Sequence, residues 1–182
     1  MKIAYIGWGS LIWNQGSLKL KGTWQSDGPY LPVEFARVSQ DRRLTLVLYR
    51  GASPVQTLWT YAEDENLNTA IKGLKIREGA SANRIGYLSL RNGKSRCRVI
   101  EDLVFVIESW LKDKGLDAAV WTDLPANFAE RTGMAFTSEN AISYLKSLEG
   151  EALAAARNYI VNAPASIDTP IRRAVGEDMG WK

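Results

Sequence analysis

Every strand-like run in this chain lies before Pro125, and beyond it the pattern is mostly helical. Lys2–Ile6 is short, apolar and partly β-branched and runs into Gly7 and Gly9, which predicts a buried first strand ending in a tight loop. Pro32–Val38 and Arg43–Arg50 read as two strands joined around Ser39-Gln40-Asp41-Arg42; Leu44, Leu46 and Leu48 alternate with Thr45 and Val47 in the second. Val55–Tyr61 is a further strand after Ser53-Pro54. Asn92-Gly93, between Ile85–Leu90 and Arg96–Ile100, is the strongest hairpin signal, and Ala118–Leu124 reads as a last buried strand. Asn14–Tyr30, rich in Gly, Ser and Lys, is expected to be irregular.

The helices carry their own punctuation. One is expected from about Asp64 as N-cap, with Leu67, Ile71 and Leu74 as its apolar stripe. A second covers Glu101–Lys114 and stops at Gly115. Thr137 or Ser138 caps a helix through Leu148, Glu151–Val161 is Ala-rich and helical, and Thr169-Pro170 opens a short terminal helix. Hairpin-connected strands followed by a helical tail argue an α+β domain over residues 1–182, with 125–182 a helical elaboration, rather than a doubly wound α/β fold.

Composition narrows the chemistry more than the fold. The chain has no histidine and a single cysteine, Cys97. Ser-His-Asp and Cys-His catalysis, a His-based zinc site and a thiolate cluster are therefore excluded, so carboxylates, hydroxyls, lysines or backbone amides must carry any reaction. A lone cysteine fits a reducing compartment. The N-terminus lacks the apolar core of a signal peptide, and no apolar run reaches the roughly 20 residues of a membrane span. A cytoplasmic protein is expected. A net charge of +3 is too slight to imply nucleic acid.

The loop Gly7-Trp8-Gly9-Ser10-Leu11 is the first candidate site. Glycines after a strand let backbone approach a ligand closely, and successive amides there can form an anion nest to which Ser10 adds a hydroxyl. A dinucleotide fingerprint fails because Ile12 stands where a third glycine is required. The plain alternative is a tight turn with Trp8 and Trp13 packed inside.

Trp8-Gly9-Ser10-Leu11 resembles the Tyr-Gly-Ser-Leu or Tyr-Gly-Ser-Asn loop that follows the first strand of the γ-glutamylcyclotransferase-like proteins, with Trp8 where tyrosine is usual. Leu74-Lys75-Ile76-Arg77-Glu78 is similar to that family's second landmark, an acid just past a helix. The likeness covers roughly Lys2 to Ile100; the tail from Pro125 does not align. It implies a mixed, mostly antiparallel β-barrel with flanking helices, Gly7, Trp8, Gly9, Ser10 and Leu11 as substrate-binding residues, and Glu78 as catalytic acid–base.

The implied reaction suits a chain without histidine. The α-amine of a γ-glutamyl substrate attacks its own γ-amide carbonyl, forming 5-oxoproline and releasing an amine. Tethering supplies much of the rate, and one carboxylate can move the protons in sequence. No metal or organic cofactor is called for. Trp8, Trp13 and Tyr87 are the candidate apolar walls.

Other readings stay open. Glu78 can instead be a solvated carboxylate paired with Arg77 or Lys75, leaving a pocket for a small anion or amino-acid derivative without turnover. Glu34 and Asp123 are the reserve acids, each also a candidate ion-pair partner for arginines such as Arg37 and Arg43. The hairpin Arg91–Arg98 carries four cations and no acid, but without an interleaved aromatic platform it does not argue nucleic-acid binding.

Overall fold

The computed structural model describes residues 1–181, a mixed α+β domain of nine strands and six α-helices. The strands are β1 (Ile3–Gly7), β2 (Leu20–Gln25), β3 (Tyr30–Val38), β4 (Leu44–Leu48), β5 (Pro54–Gln56), β6 (Leu58–Ala62), β7 (Ile85–Ser89), β8 (Ser95–Arg96) and β9 (Ala118–Thr122). The helices are α1 (Leu67–Glu78), α2 (Leu103–Lys114), α3 (Phe128–Thr132), α4 (Ser138–Lys146), α5 (Gly150–Asn162) and α6 (Pro170–Met179).

β1 lies inside a six-stranded sheet of order β2-β6-β1-β9-β7-β8. It pairs antiparallel with β6 and in parallel with β9, while the other pairs are antiparallel. β4, β3 and β5 form a second sheet. Neither sheet closes into a barrel among the described residues.

All five residues of β1 are buried because both of its faces are covered. Ile3 and Tyr5 join Ala118 and Val120 of β9 in a core with Ala70 and Leu74 of α1. Ala4 and Ile6 point the other way, into a larger core with Phe35 and Leu46 of the second sheet and Ile107 of α2. Leu145, Ile160 and Val175 bring the helical tail into this same core.

The departures from expectation have local causes. The single strand expected over Val55–Tyr61 is two, divided at Thr57, whose hydroxyl and amide both donate to Pro29 O. The halves serve different sheets: β5 pairs with β3, and β6 with β1 and β2. β2 occupies part of the segment expected to be irregular, pairing with β6 around a register shift. The N-cap of α1 is Asn66, whose side chain accepts from the Asn68 and Thr69 amides, while Asp64 accepts from Asn66 N–H. β8 stops at Arg96 because the Arg98 and Val99 amides donate to the Asp123 carboxylate instead of a ladder. Thr137 and Thr169 cap α4 and α6, and Gly115 ends α2 in the left-handed conformation (φ 62°). Among the described residues, no helix is long and apolar enough to cross a membrane.

Glu34 and Asp123 are both buried, but neither pairs with Arg37 or Arg43 as expected. Asp123 takes the two amides just named. Glu34 accepts from Thr169 Oγ1 at 2.5 Å, from its neighbour Phe35 N–H at 2.7 Å and from Ile171 N–H at 3.4 Å. A carboxylate in β3 thus docks the start of α6. A capping hydroxyl and a helix amide offer an anion the partial positive charge it needs.

Burial pushes the Glu34 carboxyl above its ordinary value of 4.5, against the pull of Thr169 and the two amides. The folded chain therefore keeps that proton at pH values where the unfolded chain has lost it. Stability falls from this source as pH rises from the ordinary value through the raised one. Glu34→Gln removes the titration. We expect the urea midpoint of the variant to gain on the wild type as pH rises through that window; parallel midpoint profiles would contradict it.

Candidate functional site: a cavity at the carboxyl ends of β1 and β9

The topology brings three chain segments to one end of the sheet. β6 runs antiparallel to β1 and ends beside its start, where the Met1 ammonium lies 3.3 Å from Glu65. From there α1 returns along the sheet and delivers its last turn to the loop after β1. β9, parallel to β1, ends at the same edge. Carboxyl ends of parallel strands are where open sheets present ligand crevices.

A cavity of about 220 Å³ occupies this edge, and Gly7, Trp8, Gly9, Ser10, Leu11 and Glu78 all line it. The β3–β4 hairpin contributes Arg37, Ser39, Arg43, Thr45, Leu46 and Val47 to the opposite wall. Thr122 at the end of β9 and Leu124 just beyond it enter the site, and Tyr159 of α5 completes it. A more open depression of about 530 Å³ surrounds Met1 and the start of α1. There Glu65 is paired with the Met1 ammonium and Arg91 with Asp117, and the buried Ser89 hydroxyl is left without a partner among the described residues.

Glu78 is the last residue of α1, and Gly79 ends the helix in the left-handed conformation (φ 58°). A carboxylate there faces the negative end of the helix dipole. Arg77 balances it: Nη1 donates to Glu78 Oε1 at 2.6 Å, and the two side chains are only 10% and 15% exposed. The same guanidinium donates from Nε to Asn14 O at 3.2 Å and from Nη2 to Asn14 O and Ser10 Oγ. Arg77 is therefore the clamp between loop and acid, a role beyond the surface pairing expected of it. Glu78 Oε2 accepts no hydrogen bond among the described residues.

The loop differs from expectation in how its glycines work. Neither Gly7 nor Gly9 has a positive φ, so neither is there for a special backbone conformation. A Cβ on Gly7 would lie 2.9 Å from the Trp24 ring, and one on Gly9 would lie 2.5 Å from the Tyr159 hydroxyl. The close approach at Gly9 is first of all to the chain's own tyrosine. Trp8 is buried and donates its indole N–H to Leu46 O at 3.4 Å, so that group is already engaged. Of the other expected walls, Trp13 packs edge-on to Tyr159 rather than lining the cavity, and Tyr87 lies under Arg96 elsewhere. The Gly9 and Leu11 amides make no hydrogen bond among the described residues.

Most other polar groups in the cavity wall have internal partners. Arg37 Nη1 donates to Pro125 O at 2.8 Å, and Thr45 Oγ1 donates to Arg37 O at 3.1 Å. Arg43 lies 2.7 Å from Asp41 and stands over the Tyr159 ring, 5.4 Å from its centre. With Arg37, Arg43 and Arg77 against Glu78, the lining is suited to an anionic or zwitterionic molecule. Among the described residues, no group of three or more Cys, Asp or Glu is placed to hold a metal ion. Arg37, Arg43 and Tyr159 carried no cavity signal in the sequence: each sits in an element whose partners are distant along the chain. No family model, curated protein or solved structure matches the chain.

The Gly9–Tyr159 contact gives a direct test. Gly9→Ala forces the phenol to move and should cost about 1–3 kcal/mol, the usual range for overpacking. Without the hydroxyl the nearest atom becomes the ring carbon at 3.5 Å, an ordinary contact. In a Tyr159→Phe background the cost of Gly9→Ala should therefore shrink, giving a coupling of about 0.5–3 kcal/mol in a double-mutant cycle of unfolding free energies. Additive costs would mean that the two residues do not constrain each other.

Proposed function

We propose that the chain cyclises a γ-glutamyl amine or γ-glutamyl amino acid to 5-oxoproline, as a relative of the γ-glutamylcyclotransferase-like proteins whose motifs it resembles. The observation that carries this reading is the single cavity bounded by the Gly7–Leu11 loop and Glu78. The volume suits a group of γ-glutamyl size. The Gly9 and Leu11 amides take the substrate's α-carboxylate. Glu78 Oε2 receives a proton from the α-ammonium, and the freed nitrogen attacks the γ-carbonyl carbon. The γ C–N bond then breaks, its electron pair leaves with the amine nitrogen as Glu78 returns the proton to it, and the second proton of the attacking nitrogen passes through Glu78 to the released amine, leaving a lactam N–H and an ammonium. Arg77 holds the other carboxylate oxygen, so the acid presents one fixed atom. Proton transfer by a positioned group and a tethered nucleophile together carry the rate. The barrel-type kinship of the fold belongs to the same proposal, as does a cytoplasmic setting. Cys97 suits that setting as an inert thiol, pushed up to about 12 by burial and by the Asp123 charge.

A second reading rests on the Arg77–Glu78 pair itself. If Glu78 serves only to hold Arg77, the arginine-lined cavity is a pocket for a small anion or amino-acid derivative without turnover.

Release of 5-oxoproline from γ-glutamyl amines, γ-glutamyl amino acids and glutathione separates the two. Wild-type turnover of at least one compound is expected. Glu78→Gln should lower kcat by about 10²–10⁴-fold while ground-state binding changes far less, and chelators should leave turnover unchanged. Binding without turnover across the panel would favour the pocket, and full activity in Glu78→Gln would remove the acid from the mechanism.

A further inference from the structure

The geometry points to Tyr159 as a hydrogen-bond donor to an oxygen of the molecule held in the cavity, so that helix α5 supplies a functional group. A phenol has one proton to donate and two lone pairs to accept with. The Tyr159 oxygen accepts from Leu46 N–H at 3.3 Å, and the Ser10 amide also faces it. Its proton has no acceptor among the described residues, although the residue is only 6% exposed. A buried hydroxyl normally finds a use for its proton. The open direction here is the cavity, which Tyr159 lines together with Gly9 and Glu78.

The oxygen is held in place. Trp13 and Phe35 meet the ring edge-on at centroid distances of 5.3 and 6.4 Å, Arg43 covers it, and Gly9 abuts the hydroxyl. A donor fixed in this way needs no reorganisation when charge develops on a nearby oxygen, the condition under which such donors contribute most. Burial pushes the phenol up to about 12, so it remains protonated at neutral pH. It stabilises by donating a hydrogen bond and does not give the proton up.

Which oxygen it meets rests on the cyclisation reading. When the α-nitrogen adds to the γ-carbonyl carbon, the carbonyl π electrons move onto oxygen, and Tyr159 donates to that oxyanion. The electrons return when the γ C–N bond breaks.

Tyr159→Phe keeps the ring and removes the donor, together with the oxygen that accepts from Leu46 N–H. The expected result is a fall in kcat of about 10²–10³-fold with little change in KM, after correction for folded fraction from the urea midpoint. Replacement by 3-fluorotyrosine serves where Phe impairs folding. It keeps the shape but strengthens the donor, and should change kcat at an unaltered midpoint. Unchanged kcat in both variants would overturn the assignment. If the wild type releases no 5-oxoproline, the cyclisation reading fails, and the donor is tested with inorganic phosphate by following fluorescence of the tryptophans at the loop. Tyr159→Phe should then weaken phosphate binding by at least about tenfold, the worth of a hydrogen bond to a charged group. Equal affinity, or no phosphate binding by the wild type, would overturn the assignment.

Discussion

The site depends on the single guanidinium of Arg77. It stands on the last turn of α1, yet its hydrogen bonds reach Asn14 and Ser10 of the loop after β1 as well as Glu78 beside it. Planar donors in a fixed fork can hold two chain segments and a carboxylate at once, which a lysine ammonium on its flexible stem does less well. Because the pair is mostly sheltered from water, losing either partner leaves the other charge poorly solvated. Loop, helix end and acid are consequently one mechanical unit, and the cavity takes its shape from it.

That unit can exist only because the sheet mixes directions. The antiparallel β1–β6 pair sends the chain to the far end, α1 brings it back, and the parallel β1–β9 pair aligns a second strand end with the loop. A uniformly up-and-down sheet would have put the ends of β1 and β9 on opposite edges.

Local signals were readable in the chain, and long-range ones were not. Gly115, Thr137 and Thr169-Pro170 mark helix ends through hydrogen bonds to residues a few positions away, and the structure uses each of them so. The division of Val55–Tyr61 at Thr57 was invisible because Thr57 bonds Pro29, whose proximity only the folded sheets create. The same holds for Glu34, expected to pair with arginines such as Arg37 and Arg43 but bonded instead to the start of a helix 135 residues away. For the candidate site, Gly7–Leu11 and Glu78 stood out by spacing and resemblance. Tyr159 looked like one aromatic in an Ala-rich helix. Its proximity to Gly9 is a property of packing, and Gly9 gave no sign that its missing Cβ makes room for another residue of the same chain.

The position of Tyr159 also fixes the order in which the site is completed during synthesis. At about 5–20 residues per second, the ribosome delivers this tyrosine roughly 4–16 s after Glu78. Throughout that interval the sheet edge lacks its back wall, leaving Leu46 N–H and the Gly9 backbone without the phenol that later covers them. A nascent chain at this stage has the loop and the acid but an unfinished chamber. The cavity wall is complete only once the helical tail has docked, which makes the tail the last part of the wall to arrive.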